Sequence, residues 1–163
     1  MVYFYGVCPS PVGDLYLVSS ETALRAIIFS DSWKKYFSEH KGTLSLKNTA
    51  VIQKATRQLT EYFSGSRASF DIPLEPEGTL FQLKAWKALQ SIPYGATISY
   101  SEQAVRLGNR KACRAVGGAN NKNPLAIVIP CHRVIGKSGN LIGYAGGLSV
   151  KEKLLDLELS QTH

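Results

Sequence analysis

The sequence predicts an α+β protein with two domains, residues 1–75 and 76–163. Strand-forming residues fill positions 2–29, whereas apolar residues at helical spacing dominate after residue 79. Between these regions Pro73, Pro76 and Gly78 stand among acidic residues, a composition typical of a linker. A chain of 163 residues is long enough for each part to bury a core.

In the N-terminal part, runs rich in valine, tyrosine and isoleucine predict three strands, at 2–7, 15–18 and 23–29. A helix is predicted from about Thr49 to Phe63, with Asn48 as its cap, because apolar residues recur there every four positions. None of these residues suggests a nucleophile–base pair or a set of metal ligands. We therefore interpret this part as a scaffold.

The C-terminal part begins with a predicted helix that Thr79 caps and that ends near Ser91. Further along, the apolar run 125–129 predicts a buried strand. The last helix is predicted to begin at Ser149, which forms a capping-box pattern with Glu152, and to end near Leu159.

Two short helices are predicted between these elements, at about 101–107 and 110–116, with Gly108-Asn109 in the turn. The second would carry Arg110, Lys111 and Arg114. A short helix, a turn with glycine and a basic second helix are typical of a helix-turn-helix. Any small helical hairpin would show the same pattern, so the motif alone has low specificity.

The charge distribution favours a nucleic-acid partner. The net charge is +7, and the isoelectric point is near 9.4. Residues 1–79 hold eight basic and eight acidic side chains, whereas residues 80–163 hold eleven basic and four acidic ones, so the whole net charge lies in the second part. A basic surface can serve solubility alone, but its confinement to one part favours binding to a polyanion.

Membrane insertion and metal binding are not expected. No apolar run reaches the roughly 18 residues that a membrane span needs. The N-terminus lacks the basic start of a signal peptide, so we expect a cytoplasmic protein. The three cysteines (Cys8, Cys113 and Cys131) show no C-x-x-C spacing and the histidines are scattered, so no metal site is predicted.

The strongest candidate for chemistry is Cys131, which follows the predicted strand and stands beside His132 and Arg133. Free cysteine is most often a small buried hydrophobe, but a nearby histidine or cation is the usual means of activating a thiol. Glu158 is the candidate to orient His132, because an acid near a helix C-terminus is disfavoured unless it has another role. The alternative for Glu158 is a solvated surface charge. Together His132 and Glu158 are expected to lower the pKa of the Cys131 thiol below about 8.5.

The segment 130–136 (PCHRVIG) resembles the active-site signature of the O6-alkylguanine-DNA alkyltransferases. Other segments are similar to this family in order and at its spacing: 81–82 with Trp86, 92–95, 99–100, 114–119, 123–124, 144–148 and the last helix through Glu158. The resemblance covers about residues 79–161. The first part fits only loosely, through 10–13 (SPVG), and the resemblance implies a ribonuclease H-like fold there.

The resemblance implies a DNA-repair reaction that needs no cofactor. Cys131 would take the alkyl group from O6-alkylguanine, and also from O4-alkylthymine, in one irreversible step. His132, through a water, and Glu158 would relay the thiol proton. Tyr100 would donate a proton or hydrogen bond to the departing guanine. The protein is expected to act as a monomer on duplex DNA after turning the nucleotide out of the helix.

The resemblance also implies how DNA and base are held. Arg114 would fill the space of the flipped base, and Asn123 would connect the recognition helix to the active-site loop. Other basic residues would meet phosphates: Arg106, Arg110, Lys111, Lys122 and Lys137. The pocket for the base would be lined by Val134, Tyr144, Ala145 and Gly146. Ala145 stands where some members have serine, so only its backbone donor carries over.

Two other functions remain open from the sequence. One is a non-catalytic helix-turn-helix protein that binds alkylated DNA, but that branch of the family has tryptophan where this chain has Cys131. The other is a Cys–His hydrolase, which would place cysteine and histidine on separate segments with an Asn or Asp as orienting group. Adjacent Cys131-His132 disfavours the hydrolase.

Overall fold

The computed structural model describes residues 2–161. The chain forms two compact units, one up to Glu77 and one from Gly78 onward. The first unit is a mixed sheet with two helices, and the second is mostly helical with one pair of very short strands. The predicted α+β class is confirmed.

The N-terminal unit is built on a four-stranded sheet with the strand order β3-β2-β1-β4. The strands are β1 (Tyr3–Cys8), β2 (Leu15–Ser19), β3 (Leu24–Phe29) and β4 (Leu44–Leu46). Antiparallel pairing joins β1 to β2 and β2 to β3, whereas β4 pairs parallel with β1. The first three strands were predicted. The three residues of β4 are too few to show an alternating pattern.

Two helices, α1 (Ser30–Glu39) and α2 (Ala50–Phe63), complete this unit. The N-cap of α2 is Thr49 rather than the predicted Asn48, because the Thr49 hydroxyl accepts a hydrogen bond from the backbone N–H of Ile52 at 3.1 Å. Helix α1 was not predicted, since its residues are mostly polar. It is held to the sheet by aromatic stacking, with the ring of Trp33 lying 4.4 Å from that of Tyr16.

The C-terminal unit follows a helix-rich order: α3 (Leu80–Leu89), β5 (Ile98–Ser99), α4 (Tyr100–Arg106), α5 (Cys113–Asn121), β6 (Val134–Ile135) and α6 (Leu148–Gln161). Thr79 caps α3 as predicted, and Gln82 completes a capping box with it. Trp86 of α3 is buried and donates its indole N–H to the carbonyl of Ala119 at 2.8 Å, which fixes α5 against α3.

The second helix of the predicted pair begins three residues later than expected, at Cys113, and runs to Asn121. Arg110 and Lys111 therefore lie in the turn before α5, not on the helix. The cause is local: the side-chain oxygen of Asn109 accepts a hydrogen bond from the Lys111 N–H at 3.1 Å. This bond stabilises a turn in place of a first helical turn.

The predicted strand at 125–129 is wrong: this buried run forms a tight turn. The N–H of Ile129 donates to the carbonyl of Leu125 at 2.8 Å, and Ile127 adopts a left-handed φ of 76°. The side chain of Asn123 bonds both ends of the turn, to the Leu125 N–H at 2.9 Å and the Ile129 carbonyl at 2.8 Å. Because these local bonds satisfy the buried backbone, the segment needs no neighbouring strand.

Helix α6 begins at Leu148, so Ser149 lies within its first turn and not at the predicted cap position. One face of this helix is buried through Lys151, Leu154 and Glu158. No helix within residues 2–161 has the length and apolar character that crossing a membrane requires.

Candidate active site

Cys131 begins a single 3₁₀ turn (Cys131–Arg133) that leads into β6. Its N–H donates to the Ile129 carbonyl at 2.8 Å, so the buried turn before it fixes its position. Only 7% of the residue is exposed. Because the chain turns here, His132 and Arg133 both reach α6, which two successive residues of an extended strand would not do.

His132 and Glu158 form a buried pair. The His132 Nε2 lies 2.6 Å from Oε2 of Glu158, and the exposed fractions of the two side chains are 0% and 1%. Glu158 is therefore not a solvated surface charge. Its position on the inner face of α6 also explains why a carboxylate occurs close to the negative end of this helix.

Arg133 is a member of this cluster that the sequence marked only as a nearby charge. Its Nε donates to Oε1 of Glu158 at 2.8 Å, and its Nη2 donates to Oε2 at 3.1 Å. A third bond runs from Nη1 to the carbonyl of Ile92 at 2.8 Å. Glu158 also accepts the Gly95 N–H at 3.2 Å. The carboxylate thus lies in a set of donors that favours its charged form.

Burial lowers the pKa of His132, and the positive charges of Arg133 and Lys151 lower it further; Glu158 opposes them. The imidazole is therefore neutral at neutral pH, and its Nε2 hydrogen is donated to Glu158. Nδ1 then carries a lone pair. This atom is buried, and it has no hydrogen-bond partner among residues 2–161. It is available as a base.

Burial also raises the pKa of Cys131, from its ordinary value of 9.0 to about 11. A hydrogen bond from the Asn123 side chain and the charge of Lys151 lower it, but burial has the larger effect. The expectation of a thiol pKa below about 8.5 is therefore wrong for the free protein. The reason is that burial disfavours the charged thiolate more than the neighbouring donors and Lys151 favour it.

Lys151 is a second buried charged residue near Cys131 that was not predicted from the sequence. Its ammonium is fully buried and donates to the carbonyls of Val134 at 2.7 Å and Ile142 at 3.0 Å. The Tyr100 hydroxyl donates to the same Ile142 carbonyl at 2.8 Å. A signal was present: Lys151 precedes Leu154 and Glu158 by three and seven residues, which is the spacing of one helix face.

Arg114 and Tyr100 lie together at the edge of the unit. Both line an open concavity of about 270 Å³, with Cys113, Gly117, Asn121, Ile142 and Gly143. Arg106 is exposed on α4, and Arg110 and Lys111 are exposed in the turn before α5. Arg106 contacts Glu102 at 3.3 Å. The structure therefore groups these basic residues on and around the α4–α5 pair, and Arg114 shares a concavity with Tyr100.

The residues predicted to line a base pocket occupy two places. Val134 is buried in β6, where its carbonyl accepts the Lys151 bond. Tyr144, Ala145 and Gly146 form the turn before α6, which is closed by a bond from the Gly147 N–H to the Tyr144 carbonyl at 2.9 Å. Within the described residues, no three histidine, cysteine or acidic side chains are placed to hold a metal ion.

Fold and site together define a class: an α+β protein whose basic helical unit holds a buried cysteine beside a histidine–glutamate pair. Residues 3–76 match the family model for the ribonuclease-like domain of 6-O-methylguanine DNA methyltransferase, and residues 80–160 match the model for its DNA binding domain. The chain belongs to the 6-O-methylguanine DNA methyltransferase family. The resemblance seen in the sequence is confirmed.

Relatives span nearly the whole chain. The methylated-DNA–protein-cysteine methyltransferase of Methanosarcina acetivorans is 48% identical over 155 residues, which cover 95% of this chain and 97% of the relative. The constitutive enzyme of that name from Bacillus subtilis is 42% identical, over 95% of this chain and 94% of the relative.

Solved structures agree with this assignment. The crystal structure of Mycobacterium tuberculosis O6-methylguanine methyltransferase is 42% identical and superposes with a TM-score of 0.88, covering 98% of this chain and 94% of that one. The M. tuberculosis OGT in complex with DNA gives 40% identity and a TM-score of 0.88, covering 99% and 94%.

Proposed function

We propose that this chain is a DNA-repair alkyltransferase that moves the alkyl group of O6-alkylguanine in duplex DNA irreversibly to its own Cys131. The names of its relatives and the DNA complex of one structural neighbour support this function. The observation that carries the residue assignment is Cys131 next to the buried His132–Glu158 pair, in which the His132 Nδ1 is buried and has no hydrogen-bond partner among residues 2–161.

In the proposed reaction, the Cys131 sulfur attacks the alkyl carbon that is bonded to O6. A sulfur–carbon bond forms, the carbon–oxygen bond breaks, and the electron pair leaves with the guanine. The thiol proton passes through a water to Nδ1 of His132, and Glu158 stabilises the imidazolium that forms. The Tyr100 hydroxyl, released from Ile142, donates to the departing base. O4-alkylthymine presents the same alkyl–oxygen bond.

The product is a thioether, which water does not cleave and which no C-x-x-C partner can resolve. Each chain therefore acts once. The reaction requires the nucleotide to leave the base stack, since O6 is enclosed within a duplex. We assign Arg114 to the space of the flipped base, and Asn123 to the connection between α5 and the segment that holds Cys131. Arg106, Arg110 and Lys111 would contact phosphates.

The base would be held by the Val134 carbonyl, Tyr144, the Ala145 N–H and Gly146. We further propose that the protein is cytoplasmic. It would act as a monomer, because all residues assigned to DNA and to transfer belong to one unit of one chain. A DNA-binding protein without transfer activity would bind the same duplex but leave the damaged base unchanged.

Intact-mass spectrometry tests the proposal directly. After incubation with duplex DNA that contains O6-methylguanine, the protein should gain one CH₂ per chain, and peptide mapping should locate it on Cys131. Cys131→Ser should bind the duplex and gain no mass. Label on Cys8 or Cys113, or removal of more than one methyl group per chain, would exclude the proposed mechanism. Binding without any mass change would favour the non-catalytic alternative.

A further inference from the structure

Glu158 lies at the centre of the buried cluster, and its carboxylate is bonded to the side chains of both His132 and Arg133. Arg133 donates to both of its oxygens, at 2.8 and 3.1 Å, and the His132 Nε2 lies 2.6 Å from Oε2. His132, Arg133 and Glu158 have exposed fractions of 0%, 6% and 1%. A buried carboxylate stays charged only when a positive group and hydrogen-bond donors compensate it.

Two groups could supply that positive charge: the guanidinium of Arg133 or a protonated His132. Arginine is always protonated in proteins, and its planar fork fits both oxygens of a carboxylate. With Arg133 in place, Glu158 is compensated without a proton on His132. Two further titratable residues act on the pair within residues 2–161: Lys151, whose charge disfavours an imidazolium, and Tyr94, whose ring lies 5.7 Å from the Arg133 guanidinium.

We infer that Arg133 is a positioning residue of the proton relay: its two-point contact with Glu158 keeps His132 neutral, with its hydrogen on Nε2 and its lone pair on Nδ1. The inference rests on the proposed function, because the relay matters only if Cys131 must lose a proton. Without the Arg133 charge, the uncompensated Glu158 would draw a proton onto His132. An imidazolium has no lone pair on Nδ1 and cannot take the thiol proton.

Removal of the Arg133 charge should therefore raise the pKa of His132, by about one unit or more. His132 would then be protonated, and inactive as a base, up to a higher pH. The acid limb of the pH profile for alkyl transfer should move upward by the same amount, while the rate above the new pKa should recover.

The test compares three variants with the parent protein. Arg133→Met removes charge and donors, Arg133→Lys keeps the charge, and Lys153→Met is the matched control, since it removes an exposed charge from the same helix as Glu158. The His132 imidazole is titrated by NMR in protein labelled with ¹⁵N-histidine. Transfer from free O6-benzylguanine is measured across the same pH range. Melting temperatures are recorded for every variant.

We expect the parent, Arg133→Lys and Lys153→Met to show a neutral His132 with its hydrogen on Nε2 at pH 7. Arg133→Met should show the raised pKa and the shifted profile. If Arg133→Met does not fold, Arg133→Gln replaces it, because glutamine keeps a donor without the charge; the same shift is expected. A lower melting temperature with an unchanged His132 pKa would mean that Arg133 only supports the fold.

The inference is overturned if the parent His132 carries its hydrogen on Nδ1, or is an imidazolium, at pH 7. This measurement needs no alkyl transfer. It therefore separates the two proposals: a parent that transfers no alkyl group contradicts the proposed function, whereas a wrong tautomer contradicts the role of Arg133 alone.

Discussion

The two units of the chain differ in how far their charged side chains are buried. Among the described residues of the N-terminal unit, each ion pair leaves at least one side chain substantially exposed; Arg25 binds Glu75 at 3.1 Å, and the Glu75 side chain is 58% exposed. In the C-terminal unit, four basic, acidic or histidine side chains are buried among the described residues: His132, Arg133, Lys151 and Glu158. Buried charges seldom add stability compared with apolar packing, so their grouping near one cysteine indicates a chemical role.

The two units also differ in the surroundings of their buried cysteines. Cys8 in β1 is 1% exposed and Cys131 is 7% exposed, and burial raises the pKa of both thiols. Only Cys131 is followed directly by a histidine that is paired with a carboxylate. A buried thiol is thus common to both units, whereas the means to remove its proton belongs to one.

The largest expected effect comes from removing these thiols one at a time. Cys131→Ala should abolish alkyl transfer from O6-benzylguanine, because neither of the other two thiols has the relay. Cys8→Ala, the matched control, should transfer at the parent rate. Both variants should bind duplex DNA like the parent, since phosphate contacts set most of the affinity. Transfer that is absent in Cys8→Ala and kept in Cys131→Ala would reverse the assignment of the two units.

The pH dependence of thiol alkylation gives the next largest effect. Because the pKa of Cys131 is raised to about 11, the reactive thiolate is a small fraction at neutral pH and grows as pH rises toward that value. In the absence of DNA, the rate of iodoacetamide modification at Cys131 should increase about tenfold per pH unit below pH 10. A rate that levels off near pH 7 would contradict the effect of burial.

Removal of one carboxylate from each unit should show that a buried ion pair contributes more to the free energy of unfolding than an exposed one. Glu158→Ala leaves the buried Arg133 without its carboxylate and should lower the free energy of unfolding by about 3–5 kcal/mol. Glu75→Ala removes an exposed partner and should change it by about 1 kcal/mol or less. Urea unfolding monitored by circular dichroism measures both. Equal decreases would show that the buried cluster is no more important to the fold than a surface pair.

Arg114→Ala tests a side chain that is exposed but assigned to the flipped base. Its removal should weaken flipping by roughly 1–3 kcal/mol, by analogy with stacking on a base. Transfer from duplex O6-methylguanine should therefore slow about 5- to 150-fold, whereas transfer from free O6-benzylguanine, which needs no flipping, should be unchanged. Arg57→Ala, an exposed arginine of the N-terminal unit, is the control. Similar slowing on both substrates would assign Arg114 to the fold or the pocket.

Three of the four strands of the N-terminal sheet and most of the C-terminal helices were predictable from the sequence, because these elements show clear periodicity. Prediction failed where tertiary contacts or side-chain bonds decide the structure. Helix α1 depends on ring stacking by Trp33, and the run 125–129 turns because Asn123 supplies its hydrogen bonds. Neither cause is visible as a pattern of apolar and polar residues.

The residues of the candidate site were also easier to predict from the sequence than their electrostatics. Cys131, His132 and Glu158 were found from a motif and an unusual helix position. The sequence could not predict that burial raises the Cys131 pKa, or that Arg133 compensates Glu158, because both depend on what surrounds the groups in space. The predicted thiol pKa was wrong because it took account of the neighbouring His132 and Glu158 and not of the burial of Cys131.

The smallest expected effect concerns single surface lysines. If the C-terminal unit binds DNA through its net charge of +7, removing one side chain that binds a phosphate should reduce the slope of log affinity against log salt by about one. Lys122→Ala should show that change, because Lys122 is exposed directly after α5. Lys34→Ala, on the exposed side of α1 in the balanced unit, should leave the slope unchanged. Fluorescence anisotropy with undamaged duplex across a series of salt concentrations measures both. A reduced slope for Lys34→Ala alone would place the DNA-binding surface on the N-terminal unit. The concentration of positive charge in the C-terminal unit would then not be explained by DNA binding.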